Sequence, residues 1–163
     1  MARLIPNENS WIGFATTVAN YHAPTAAEIA AGVDLTGYVI SINASSQGNV
    51  VPTPSFDTLF ETSIAGTVQA SFTADFYRDN AAGVSGDLAW KTLPRKTSGY
   101  FIISRFGGTD TVVLHRPKAG DKCEMWPVLV VSRTMANMSN NTVMTFTMTA
   151  SVPQEPDENA TVA

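Results

Sequence analysis

The chain has 163 residues, of which 44% are hydrophobic and 15% charged, with a formal net charge of −4 and a pI of about 5.0. That size suits a single domain with its own core, and no apolar run approaches the about 20 residues that cross a bilayer as a helix. The negative charge argues against a module that binds nucleic acid by neutralising phosphates. Cys123 is the sole cysteine, which excludes an intrachain disulfide, and the amino terminus lacks the apolar stretch and cleavage site of a secretory leader. Both features suit assembly in a reducing cytoplasm.

In chain order, the first ten residues are polar and read as an extended arm. Trp11 to Ala19 is apolar enough for a strand or for an arm laid on a neighbour, so residues 1–20 are set apart from a core of 21–152. A short helix is expected over 25–31, because Thr25 can cap it, Glu28 can close a capping box and Gly32 can end it. Leu35 to Asn43 reads as a strand with Tyr38, Ile40 and Ile42 on one face. The Gly-, Pro- and Ser-rich stretch from Ser45 to Ser55 reads as a loop.

From Gly66 the period of two is clear: Val68, Ala70, Phe72, Ala74 and Phe76 share one side of a strand, and Thr67, Gln69, Ser71, Thr73, Asp75 and Tyr77 the other. Asp79 to Gly86 has turn composition. Residues 87–93 read as a short helix, with Asp87 at the positive end of the dipole, Lys91 as its i+4 partner and Pro94 as the stop. Three more strands follow, Tyr100 to Phe106, Asp121 to Arg133 and Asn141 to Val152. Gly107-Gly108, Pro117 to Gly120 and the polar run 137–141 separate them. Pro127 points to an edge or a bulge, and Cys123, alternating with Met125, reads as a small buried hydrophobe. The acidic segment 153–163 reads as a flexible tail.

Charge is segregated along the chain. Residues 1–77 carry one base against six acids, residues 78–133 nine bases against five acids, and the remainder three acids alone. Such a pattern can give a subunit faces of opposite sign that steer head-to-tail association, or it can average out over the folded surface.

No catalytic, cofactor-binding or metal-ligating set emerges. His22 and His115 lack metal-ligand spacing, and Gly107-Gly108 lacks the Lys-Ser/Thr of a phosphate loop. Asp57 and Glu61, on a strand, would stand about 13 Å apart, too far to act on one bond. Arg95-Lys96 beside Tyr100 is too small a basic set for nucleic acid. The sequons at Asn43, Asn137, Asn140 and Asn159 are chance matches in an Asn/Thr-rich chain without a leader. Trp11, Trp90 and Trp126 read as core or interface rather than as a sugar platform.

The run from Thr25 to Thr36, the Asp57…Glu61-Thr segment leading into Ala74-Asp-Phe-Tyr-Arg-Asp79, Ala89-Trp…Leu93-Pro…Gly99 to Gly107, and Gly120-Asp-Lys-Cys-Glu-Met-Trp-Pro-Val128 before a Thr-rich strand together resemble the tail tube (major tail) proteins of long-tailed bacteriophages. The likeness covers Trp11 to Val152 and leans to the non-contractile, siphovirus type. It implies a mainly β, sandwich- or barrel-like fold with one or two short flanking helices. It also implies hexameric rings stacked into a hollow, undecorated tube that passes DNA without specific binding. The implied partners are other copies of the chain and the tape-measure, tail-terminator and distal tail proteins, with no cofactor, metal or membrane. The location implied is the virion, after assembly in the host cytoplasm. A ring of six would carry −24, which suits a DNA conduit. The arm, the Ser45–Ser55 loop and the tail are the expected contacts between copies. Alternatives are a tail-terminator or head–tail joining ring, a carbohydrate-binding β-sandwich using Trp11 or Tyr77, and an enzyme built on Cys123, His22 and His115.

Overall fold

A computed structural model describes residues 9–54, 62–79, 86–137 and 139–163. Within them lie strands β1 (Trp11–Ala15), β2 (Val33–Asp34), β3 (Val39–Thr53), β4 (Thr62–Tyr77), β5 (Ser98–Ser104), β6 (Lys122–Met135), β7 (Thr145–Ser151) and β8 (Asp157–Thr161). Helix α1 (Ala26–Ala31) follows β1, and α2 (Leu88–Thr92) follows β4. The strands form one sheet in the order β2-β1-β5-β6-β7-β4-β3, with β8 added beside β6, and every pairing is antiparallel. The mainly β reading with two short helices holds.

The main core lies on one face. Phe72, Ala74 and Phe76 of β4 meet Phe146, Met148 and Ala150 of β7, Trp126, Val128 and Val130 of β6, and Phe101 and Ile103 of β5. Its centre is aromatic: Phe72 stacks on Phe101 at 4.7 Å and Phe76 on Phe146 at 5.2 Å between centroids, separations at which aromatic pairs attract beyond simple area burial. The alternation read in β4 and β7 therefore places their core residues correctly. A second cluster occupies the opposite face of β1, β5 and β6, where Trp11, Ala15, Ile102, Cys123 and Met125 are covered by Ile29 of α1, Val18, Ala160 and Val162. With both faces buried, β5 reads as a near-continuous apolar run rather than an alternating one. Gly99 sits where no side chain fits, since a Cβ there would lie 2.5 Å from Phe14 Cζ and 2.6 Å from the Ala15 carbonyl.

Helix α1 forms as its residues dictate. Thr25 Oγ1 accepts from the Glu28 amide at 3.2 Å, and Glu28 Oε2 accepts from the Thr25 amide at 2.8 Å, closing the capping box. The other Glu28 oxygen takes the Ala19 amide at 2.8 Å, tying the helix to the segment before it.

Five expectations need correction. Trp11–Ala15 is not part of an arm but a sheet strand paired on both sides, because its apolar residues fill both clusters; residues 1–8 lie outside the described residues. The Ser45–Ser55 loop is instead, as far as Thr53, the outer half of β3, where backbone pairing to β4 overrides the loop-like composition. A bulge between Val39 and Ser41 shifts the phase of β3, so Val39 and Ile42 meet the core while Ile40 is exposed. Pro127 is in an inner strand, but at the point where β6 passes from pairing with β8 to pairing with β7, so no second ladder runs past it. The flexible tail is strand β8: Ala160 and Val162 are buried, and the backbone bonds Val162 N to Asp121 O (3.0 Å) and Ala163 N to Pro24 O (2.8 Å) fasten it. Most of the turn read over Asp79–Gly86 lies outside the described residues.

Candidate assembly surfaces

The residues that bear reactive groups are spread out and engaged structurally. His22 Nδ1 lies 2.7 Å from Asp157 Oδ2. Cys123 is buried, and burial pushes its thiol up to about 12. His115 sits in the loop after β5 with φ 66°. Among the described residues no group of three His, Cys, Asp or Glu side chains is placed to hold a metal. Asp57 and Glu61 lie outside the described residues.

The tryptophans offer no open platform: Trp11 and Trp126 are buried. Two guanidiniums lie over the Trp90 ring, Arg133 at 3.8 Å and Arg78 at 4.2 Å from its centroid. Tyr100 stacks on Tyr21 at 5.8 Å, and Tyr21 in turn meets His22 at 4.1 Å, while Arg95 donates to the Val131 carbonyl at 3.3 Å.

What the surface does offer is contact area. The first feature is the outer half of the β3–β4 hairpin. Beyond Ser71 no third strand joins β4 among the described residues, since β7 pairs only with residues 71–77. Val50 (60% exposed), Val51, Ile64 (59%) and Val68 leave their apolar surface in solvent. β3 is also the terminal strand of the sheet, so along its 15 residues one row of backbone donors and acceptors has no strand beside it among the described residues.

The second feature is the loop between β5 and β6. Gly107 takes φ 76°, and Gly108 passes so close to Arg116 that a Cβ would lie 2.2 Å from the Arg116 carbonyl oxygen. The buried Asp110 carboxylate receives the Val112 amide (2.8 Å), Arg116 Nε (2.9 Å) and Lys118 Nζ (3.3 Å). Asp121 Oδ2 takes the amides of Thr109 (2.7 Å) and Lys118 (2.8 Å). The Val112 N–H first, with Arg116 and Lys118 behind it, holds the Asp110 carboxyl well below the usual carboxylate range despite its burial. This fixed loop turns Phe106, Val112 (85% exposed) and Leu114 outward.

The third is the face of β3, β4, β7 and β6 that turns away from the main core. It carries Ser41, Ser45, Ser71, Thr147 and Thr149, the first four of them in short polar bonds. Ser41 Oγ donates to Asp75 Oδ2 at 2.6 Å, Thr147 Oγ1 donates to Asp75 Oδ1 at 2.5 Å, and the Ser45 and Ser71 hydroxyls lie 2.9 Å apart. Sequence reasoning found the two-faced strands but missed this hairpin and loop. The signal for the hairpin was the long Ser/Thr/Val-rich run without lysine or arginine from Val39 to Tyr77.

Comparison with known proteins adds three findings. A family model described as phage tail tube protein matches residues 1–163. No curated protein sequence matches the chain. Among solved structures, the fold is similar to a chain in the tail of an empty gene transfer agent particle refined with C6 symmetry (TM-score 0.55, 10% identity, 93% of this chain and 96% of that one). It is likewise similar to a chain in the virion of a native gene transfer agent particle (0.56, 9%, 93% and 96%). A third similar chain is in the six-fold symmetrised baseplate of an anti-feeding prophage (0.54, 12%, 96% and 95%).

Proposed function

The chain belongs to the phage tail tube protein family, and from that premise we propose that copies of it close into six-fold rings which stack into a hollow conduit for DNA. Its role as a tail tube protein is structural. The observation that carries the ring reading is the open edge of β3: fifteen residues with one backbone row that no strand pairs among the described residues, and no lysine or arginine to guard it. Protein sheets blunt such edges unless another chain covers them, and closing a circle of copies covers every edge at once. Six-fold order is supported by the C6 and six-fold symmetry of similar assemblies.

The hydroxyl-rich face of β3, β4, β7 and β6 suits the lumen. Its serines and threonines, with Asp75 as a carboxylate among them, offer a passing phosphate backbone no array of cations to grip. The tape-measure, tail-terminator and distal tail proteins are the partners this reading calls for, in a non-contractile tail assembled in the host cytoplasm. The chain acts as one domain with no enzymatic step and no cofactor.

Negative-stain electron microscopy of the purified protein over a concentration series tests the reading. Hollow rods of constant width and variable length are the expected result. Rings that never lengthen would favour a terminator or joining protein, and monomers at every concentration would count against self-assembly.

A further inference from the structure

The two ends of the sheet differ in charge. At the Met135 end of β6, α2 packs against the strands through Trp90, whose ring meets Phe146 edge-on at 5.0 Å. Two guanidiniums lie over that ring, and Arg133 Nη1 also donates to the Trp90 carbonyl at 2.7 Å. Arg78 is held by Asp87, with Nε 2.8 Å from Oδ1 and Nη2 2.5 Å from Oδ2. The side chain of Arg78 thus takes both oxygens of the Asp87 carboxylate. Arg95 and Lys96 stand exposed alongside. Desolvation and then the nearby charges of Arg78 and Arg95 lower the pKa of Arg133, so cations are crowded around that guanidinium.

Toward the Lys122 end, where Asp157 of β8 pairs with Met125 about 26 Å from Arg133 along β6 at 3.3 Å per residue, the balance reverses. There the bases are engaged: Arg105 by Glu124, Arg116 and Lys118 by Asp110, and Lys122 by Thr161 Oγ1 at 2.7 Å. Glu155 and Glu158, flanking and within β8, are exposed and in no ion pair among the described residues.

We propose that the Arg78–Trp90–Arg133 stack and Arg95 form a receiving surface for the carboxylates of a second copy, Glu155 and Glu158 before and within its strand β8, and that this contact sets the head-to-tail polarity of stacking. The proposal rests on the tube reading above. The Trp90 ring, with the Asp87 carboxylate on Arg78 and the Trp90 carbonyl on Arg133, fixes two guanidiniums in position before any partner arrives, which lowers the ordering cost of binding. The excess positive charge is what an incoming carboxylate relieves. A head-to-tail contact needs two different surfaces on one chain, and these two are complementary and separate along β6.

The test uses the full chain and compares wild type, Arg95→Glu, the double variant Glu155→Lys/Glu158→Lys, and all three changes together. Rod length is followed by electron microscopy and light scattering at about 0.05 M and about 0.5 M salt, between which screening lengths shorten severalfold. The expected result is that each end-reversed variant raises the concentration needed for elongation about tenfold at low salt with an unchanged melting temperature. The combined variant should recover most of that loss, and salt should weaken wild-type elongation. Elongation of both end-reversed variants at the wild-type concentration overturns the proposal while leaving the tube reading intact. Retention of DNA by wild type and not by Arg95→Glu, with elongation unchanged, also overturns it and reassigns the patch to nucleic acid. Wild type that forms no rods at either salt overturns the tube reading and this proposal with it.

Discussion

His22 and Asp157 meet at 2.7 Å across 135 residues of chain, joining the segment before α1 to strand β8. The His22 side chain is mostly exposed, so the pair adds less than about 1 kcal/mol. The firmer attachment of β8 is apolar, through Ala160 and Val162 over Cys123 and Met125. His22→Ala is therefore expected to shift the urea midpoint barely. Val162→Asp, which strands a charge in that cluster, should cost at least about 2 kcal/mol.

Phe72 touches Phe101 and Trp126 at the centre of the main core and is fully buried. Phe72→Ala is expected to cost about 3–5 kcal/mol in denaturant unfolding, because neighbours held in a continuous sheet cannot close around the hole. A loss under 1 kcal/mol, on the scale of an ordinary surface change, would show that the site collapses freely.

Gly99→Val should be destabilising through overpacking rather than through backbone conformation. The new Cβ would meet Phe14 Cζ and the Ala15 carbonyl, and both belong to β1 paired against β5. A cost of at least about 1–3 kcal/mol is expected, read as a lowered melting temperature.

Asp75 is held below the ordinary carboxylate value, first by the Ser41 hydroxyl and then by that of Thr147. A folded-state value below the unfolded one gives stabilisation that is complete above the unfolded value of about 4 and lost as pH falls through the folded one. Asp110 follows the same sign. Stability should thus be level between about pH 5 and 7 as far as these groups decide it, and decline below about pH 4. Asp75→Asn should be less stable than wild type at neutral pH, and the two curves should converge on acidification. Urea midpoints measured at several pH values check both statements.

Cys123, buried and with its thiol pushed up to about 12, carries almost no thiolate at neutral pH. Ellman's reagent should leave the folded protein unlabelled and label one thiol per chain after denaturation. Rapid labelling of the native protein would place the thiol at the surface.

The parts of the fold that sequence reveals are those whose signal is local. Thr25 and Glu28 cap α1 with contacts three residues apart, and the alternation of Phe72 to Phe76 needs only one buried face. β8 was hidden because its polar residues pair with β6 more than thirty positions away, and only Ala160 and Val162 reach the second cluster. The outer half of β3 was hidden because Gly48 and Pro52 belong to turns more often than to ladders, and the β4 partner that overrides them is set by register. The phase of Ile40 turned on a bulge, which no periodicity contains. Of the assembly surfaces, the charge segregation was legible as a total, but its separation to two ends of β6 depends on how α2 and β8 fold back onto that strand.

The hairpin beyond Ser71 also bears on how the free subunit behaves in time. A two-stranded ribbon with apolar residues in solvent on its flanks gains little from its own chain, while fixing each backbone residue costs about 1–2 kcal/mol of conformational entropy. Its amide hydrogens should exchange with solvent long before those of Phe101 or Trp126. Its sequence can then drift without weakening the subunit, and selection on it would act through whatever chain it meets.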